Sequence, residues 1–168
     1  TADEGGLSPD FERVVEMFEL AVESIRRAGL QPGADMALAI DVAASHFYSG
    51  GHYQLGGEAI GGEAMIEVLA RWAADYPIVS IEDGLAEDDW DHWPGLCRRL
   101  GGRLAIMGDD LLCTNPERIR RAAAANAANA LLLKVNQIGT LREAAEALRL
   151  AKAAGWTVTI SARSGETE

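Results

Sequence analysis

Cysteine is nearly absent from this chain. Cys97 and Cys113 stand far apart, with no CxxC pair and no neighbouring pair of histidines. That removes a disulfide framework and a thiolate metal site, and leaves reduced, structural thiols in a reducing compartment. Histidine is almost as scarce. His46, His52 and His92 do not fall at metal-ligand spacing, so a zinc-type centre finds no donors. No apolar stretch approaches the roughly 20 residues that span a bilayer, and no charged start precedes an apolar run as in a secretory signal. A soluble, cytoplasmic protein is the expectation. Positive charge is in deficit, with 15 Lys and Arg against 26 Asp and Glu and a net charge of −11. Nucleic-acid backbones and anionic membranes would be repelled as partners. A small anionic substrate stays compatible with that balance where a metal or local cations reverse the field.

What is present is a regular alternation of apolar segments. After Ser8-Pro9, apolar residues at Phe11, Val14, Val15, Phe18, Val22 and Ile25 mark one face of a helix that Gly29 ends. Helices are also predicted over about 62–75, as a shorter segment between 88 and 100, and from Asn115-Pro116 through Ala123. A further helix follows Thr140, whose capping box is closed by Glu143, and runs to Gly155. Between them lie short apolar runs at 36–42, 77–81, 104–107, 130–135 and 157–160, without polar alternation. Continuous apolar strands alternating with amphipathic helices predict a parallel α/β architecture of about five strand–helix repeats in one domain. The Gly-rich segment 50–62 reads as a mobile excursion between a strand and its helix. A complete eight-stranded barrel needs roughly 200–250 residues or more, so 168 residues suit an open doubly wound sheet or part of a barrel.

The chemistry sits at the strand ends. Asp41 follows Leu38-Ala39-Ile40, Glu82 follows Val79-Ser80-Ile81, and Asp109 follows Ile106-Met107-Gly108. Lys134 follows Leu131-Leu132-Leu133, and Arg163 follows the last strand. In parallel β/α folds these carboxyl ends share one face, where active sites are built. A single Asp or Glu in such a place is more often a helix cap or a loop hydrogen-bonder. Three acids, a lysine and an arginine in successive repeats are harder to explain that way. Carboxylates crowded together out of water are costly unless a cation neutralises them. An all-oxygen set, with no histidine or thiolate, favours Mg2+ over zinc. A lysine beside a bound cation, with limited solvation, is pushed toward its neutral form and can take a proton from the carbon α to a carboxylate. His46 lies near the Asp41 strand end; His52 and His92 are expected on the surface or in loops.

The runs DEGG (3–6), ALAIDVAAS (37–45), SIEDGLAEDDW (80–90), GDDLLCTNPER (108–118), LLLKVNQIGTL (131–141) and SARSGETE (161–168) resemble the enolase family in order and spacing. The resemblance covers essentially the whole chain. It implies an incomplete parallel β/α (TIM-type) barrel and Mg2+-dependent dehydration of 2-phosphoglycerate, a small phosphorylated hydroxy acid, to phosphoenolpyruvate. By motif, Asp41, Glu82 and Asp109 match the metal ligands, and Glu82 and Asp109 also face the substrate. Lys134 matches the base at C2, and Glu4 the carboxyl that helps the C3 hydroxyl leave. Arg163 and Ser164 match the phosphate-holding pair, for which a guanidinium fork is suited. Asp110 and Gln137 match supporting groups. Two positions depart from the pattern: Ala162 stands where the family reads histidine in SHRSGETE, and His46 where it reads glutamate.

The same resemblance implies a homodimer and a longer chain, with an N-terminal domain, the remaining barrel strands and a second lysine outside residues 1–168. Negligible turnover is expected of the isolated segment, because positioning and water exclusion would be incomplete. Two other readings stand beside enolase. One is a catalytically impaired relative acting as a binding or scaffold protein, favoured by Ala162 and His46. The other is a different acid-substrate lyase or racemase of the superfamily, which would leave Arg163 and Ser164 idle.

Overall fold

A computed structural model of the chain describes residues 9–162. Its first helix, α1 (Val14–Arg27), buries Phe18, Val22 and Ile25, the predicted face. It begins three residues later than Phe11. Arg13 at its N-cap makes no side-chain cap, and Val14 is 39% exposed. Strand β1 (Leu38–Asp41) follows, then a single 3-10 turn over Ala44–Phe47.

The segment expected to be a mobile excursion is ordered structure. Strands β2 (Tyr48–Ser49), β3 (His52–Leu55) and β4 (Glu58–Ile60) form an antiparallel meander. Its two turns are Gly50-Gly51 and Gly56-Gly57, all four with positive φ. Glycine takes that conformation without a Cβ penalty, and such two-residue turns match the twist of a hairpin. Both Gly-Gly pairs are hairpin signals, which a reading by glycine content alone passes over. Tyr53 anchors the meander, fully buried and 4.6 Å in ring-centroid distance from Tyr48. Its hydroxyl donates to Asp89 at 2.6 Å and accepts from the Ala86 N–H at 3.0 Å.

The strand–helix alternation then runs as predicted. Helix α2 (Gly62–Asp75) leads to β5 (Ile78–Glu82), and α3 (Trp93–Leu100) to β6 (Ala105–Gly108). Helix α4 (Pro116–Ala125) leads to β7 (Ala130–Leu133). After the single turn α5 (Val135–Ile138), helix α6 (Leu141–Ala153) leads to β8 (Thr157–Ile160). Helix α3 is the short helix expected between 88 and 100; 88–92 form turns and Pro94 stands in its first turn. Strand β7 also stops early, since Lys134 is the N-cap of α5. Two caps act as the sequence indicated. Asn115 accepts from the N–H groups of Glu117 and Arg118 at 2.8 and 3.4 Å. Thr140 accepts from the Glu143 N–H at 3.2 Å, although the Glu143 carboxylate meets the Thr140 hydroxyl rather than a backbone N–H.

Strands β1, β5, β6, β7 and β8 form one parallel sheet in that order. The register sets Asp41 beside Glu82, Glu82 beside Met107, and Leu133 beside Ile160. The carboxyl ends are therefore nearly level. Alternation divides the central strands between two faces. Ile106, Leu131 and Leu133 enter the main core with Leu96, Ile119 and Ala147 of the covering helices. Met107, Ala130 and Leu132 form a smaller cluster on the other face. Val79 of β5 is 52% exposed, and Ile160 of the edge strand β8 is 73% exposed. The architecture is an incomplete TIM-type barrel: helices cover one face, and the face toward the barrel interior is partly open.

Candidate active site

The same alternation that buries Met107 and Leu132 on the inner face carries Asp109 and Lys134, two residues further on, to that side. A cavity of about 500 Å³ opens there, lined by Asp41, Glu82, Asp109, Asp110, Lys134 and the wall Ser161-Ala162. All four strand-end groups that fall within the described residues thus meet at one place.

Both oxygens of Asp109 are held by side chains. Lys134 Nζ donates to its Oδ2 at 2.5 Å, and Gln137 Nε2 donates to its Oδ1 at 2.5 Å. Its loop is shaped by Gly108, where a Cβ would lie 2.7 Å from the Leu112 side chain. Only glycine lets Leu111 and Leu112 fold back beneath the strand end, and both are fully buried. Asp83 clamps the same loop from below. It has a left-handed backbone (φ 41°), is 3% exposed, and accepts from the N–H groups of Asp109 at 3.0 Å and Asp110 at 2.8 Å.

The carboxylates crowd one another. Oxygens of Asp41, Glu82 and Asp83 lie mutually within 4.8 Å, and those of Asp83, Asp109 and Asp110 form a second such group. Asp83 links the two. Partial burial, then the charges of Asp41 and Asp109, pushes Glu82 up to about 7. Burial likewise pushes Asp83 up to about 7 against the pull of the Asp110 and Asp109 N–H bonds. Asp41, an exposed residue, is also raised, first by desolvation of its carboxyl group and then by Asp109 and Asp110, while the Ala43 N–H lowers it. A set of oxygen donors whose burial, and then mutual repulsion, resists ionisation is suited to a divalent cation.

The protein-family description "Enolase, C-terminal TIM barrel domain" matches residues 1–168. The chain belongs to the enolase family. Its C-terminal barrel domain accounts for the parallel sheet and for a site at the carboxyl ends of the strands.

Within this enolase barrel, Glu4, Arg163 and Ser164 lie outside the described residues. Of the positions that depart from the family pattern, Ala162 stands in the cavity wall, whereas His46 is exposed and does not line the cavity. His52 is exposed as expected, with its Nδ1 3.1 Å from the Gly50 carbonyl oxygen. His92 is not a loose surface residue: its Nδ1 lies 2.6 Å from Asp89 Oδ1 and its ring packs on Gly62. Both thiols are half-buried and raised by burial, as structural cysteines would be. Lys134 lies beside the Asp109 carboxylate, and its charge also reaches Asp41 and Glu82. Sequence reasoning missed Asp83 and Thr114. Asp83 directly follows Glu82, and both it and Thr114 lie within the runs that carry the resemblance, but neither ends an apolar run as the other site groups do.

Proposed function

We propose that this chain forms the catalytic barrel of an enolase-type lyase, dehydrating 2-phosphoglycerate to phosphoenolpyruvate with Mg2+ as cofactor. The observation that carries the reading is the Lys134–Asp109 pair at 2.5 Å in a cavity that Asp41 and Glu82 also line. Asp41, Glu82 and Asp109 would hold the cation, which when bound would supply positive charge against the substrate carboxylate and acidify the adjacent C–H. Lys134 is the base for C2. The Nζ–Asp109 hydrogen bond holds the amine in place, and a neutral amine can keep that bond through an N–H while its lone pair accepts the proton. Glu4 would protonate the departing C3 hydroxyl, and Arg163 and Ser164, next in sequence after the wall at Ala162, would hold the phosphate. The substrate partner is a phosphorylated hydroxy acid rather than a nucleic acid or a membrane. A homodimer and a cytoplasmic setting belong to the same reading.

The test is phosphoenolpyruvate formation from 2-phosphoglycerate by the full-length gene product, followed by absorbance. Product should form only with Mg2+, and Lys134→Ala should lower turnover by about 10²- to 10⁴-fold without unfolding the protein. Turnover unchanged in Lys134→Ala would remove the lysine from the mechanism. Ala162 favours one second reading, a catalytically impaired relative that binds ligand, because its methyl group gives the cavity wall no hydrogen-bond donor. Folded protein that binds Mg2+ but forms no product would select it.

A further inference from the structure

Thr114 is fully buried and holds a left-handed backbone (φ 51°) directly after another left-handed residue, Cys113 (φ 48°). For a β-branched residue this conformation is a true outlier, and it persists only where the surroundings impose it. The following residues leave the turn at once, because Asn115 caps α4. What the turn achieves is to aim one hydroxyl at the end of β7. Thr114 Oγ1 accepts from the Lys134 N–H at 2.9 Å and donates to Gln137 Oε1 at 2.7 Å.

A hydroxyl has one proton, and here the backbone N–H can only donate, so the proton goes to Gln137. That bond fixes which end of the Gln137 amide faces Thr114. The NH2 group is left pointing at Asp109 Oδ1, 2.5 Å away, while Lys134 Nζ holds Oδ2. We propose that Thr114 is a positioning residue for the reaction: its single hydroxyl sets the Lys134 backbone and the Gln137 amide, and through them the orientation of the Asp109 carboxylate. The inference rests on the enolase reading for the identity of the reaction, but not for the geometry.

The test compares Thr114→Val, which keeps the shape and loses the hydroxyl, with Thr114→Ser, which keeps the hydroxyl. In folded protein, Thr114→Val should lower kcat about 10- to 100-fold with KM little changed. It should also shift the NMR signals of the Gln137 side-chain amide and the Lys134 backbone amide. Thr114→Ser should restore both. A folded Thr114→Val with wild-type kcat and unmoved signals overturns the proposal, as does a Thr114→Ser equally impaired. Where Thr114→Val does not fold, the wild-type protein decides: a slowly exchanging Thr114 hydroxyl proton with a cross-peak to the Gln137 amide supports the assignment, and its absence overturns it. Should wild-type protein form no phosphoenolpyruvate, the reaction reading falls, while the two amide signals still decide whether Thr114 positions them.

Discussion

Replacing Glu82 by glutamine should stabilise the metal-free protein above neutral pH and leave it unchanged in acid. Glu82 is carried from an ordinary 4.5 to about 7 by partial burial and by Asp41, Asp109 and Asp83. A folded-state value above the unfolded one means that the folded state binds the proton more tightly. Stability is therefore lost as pH rises from about 4.5 to about 7. At ~1.4 kcal/mol per pH unit the whole effect would be about 3 kcal/mol. The group is only partly buried, and screening by solvent brings the retained part to about 1 kcal/mol. For a domain of this size that is about 2–4 °C in Tm. Glutamine removes the charge and keeps the shape, so in EDTA the Glu82→Gln protein should melt about 2–4 °C above wild type at pH 8. At pH 4 the two should coincide. In millimolar Mg2+ the order should reverse at pH 8, because only the carboxylate gains from the cation. Differential scanning fluorimetry at the two pH values reads all of this. A variant destabilised equally at pH 4 and pH 8 would refute the argument, since it would mean that Glu82 acts through packing rather than charge.

Leu131→Ala should cost about 2–5 kcal/mol in urea unfolding, because the side chain is fully buried in the main core on an interior strand of the sheet. Tyr53→Phe should cost about 1–3 kcal/mol, since the buried Asp89 loses its 2.6 Å donor and the Ala86 N–H its acceptor. The same variant should raise proteolysis within 48–60, and an unchanged cleavage rate would show that the meander does not depend on that hydroxyl.

How much of this was legible beforehand differs by element. The helix α4 start was readable because Asn115-Pro116 combines a side-chain acceptor with a residue that needs no N–H partner. The meander was missed because glycine content looks like looseness, while the positive φ of each Gly-Gly pair makes a tight turn. Strand β7 was drawn too long because Val135 continues an apolar run, although the chain turns at Lys134 into α5. Among the site groups, Asp41, Glu82, Asp109 and Lys134 were found because each ends an apolar run. Asp83 and Thr114 were not, because their roles come from backbone conformations that no spacing announces.

By itself the sequence determined the repeating parallel fold, the family and the acidic and basic groups at the strand ends, since local periodicity and motif order carry that information along the chain. Only the tertiary structure decided that Asp83 bridges two groups of carboxylates, that Lys134 meets Asp109 directly, and that Thr114 orients both Gln137 and the lysine's backbone. The hydrogen bonds involved join residues 20 to 28 positions apart. They depend on strand register and on left-handed turns, which are settled by packing the whole sheet against its helices rather than by any local preference.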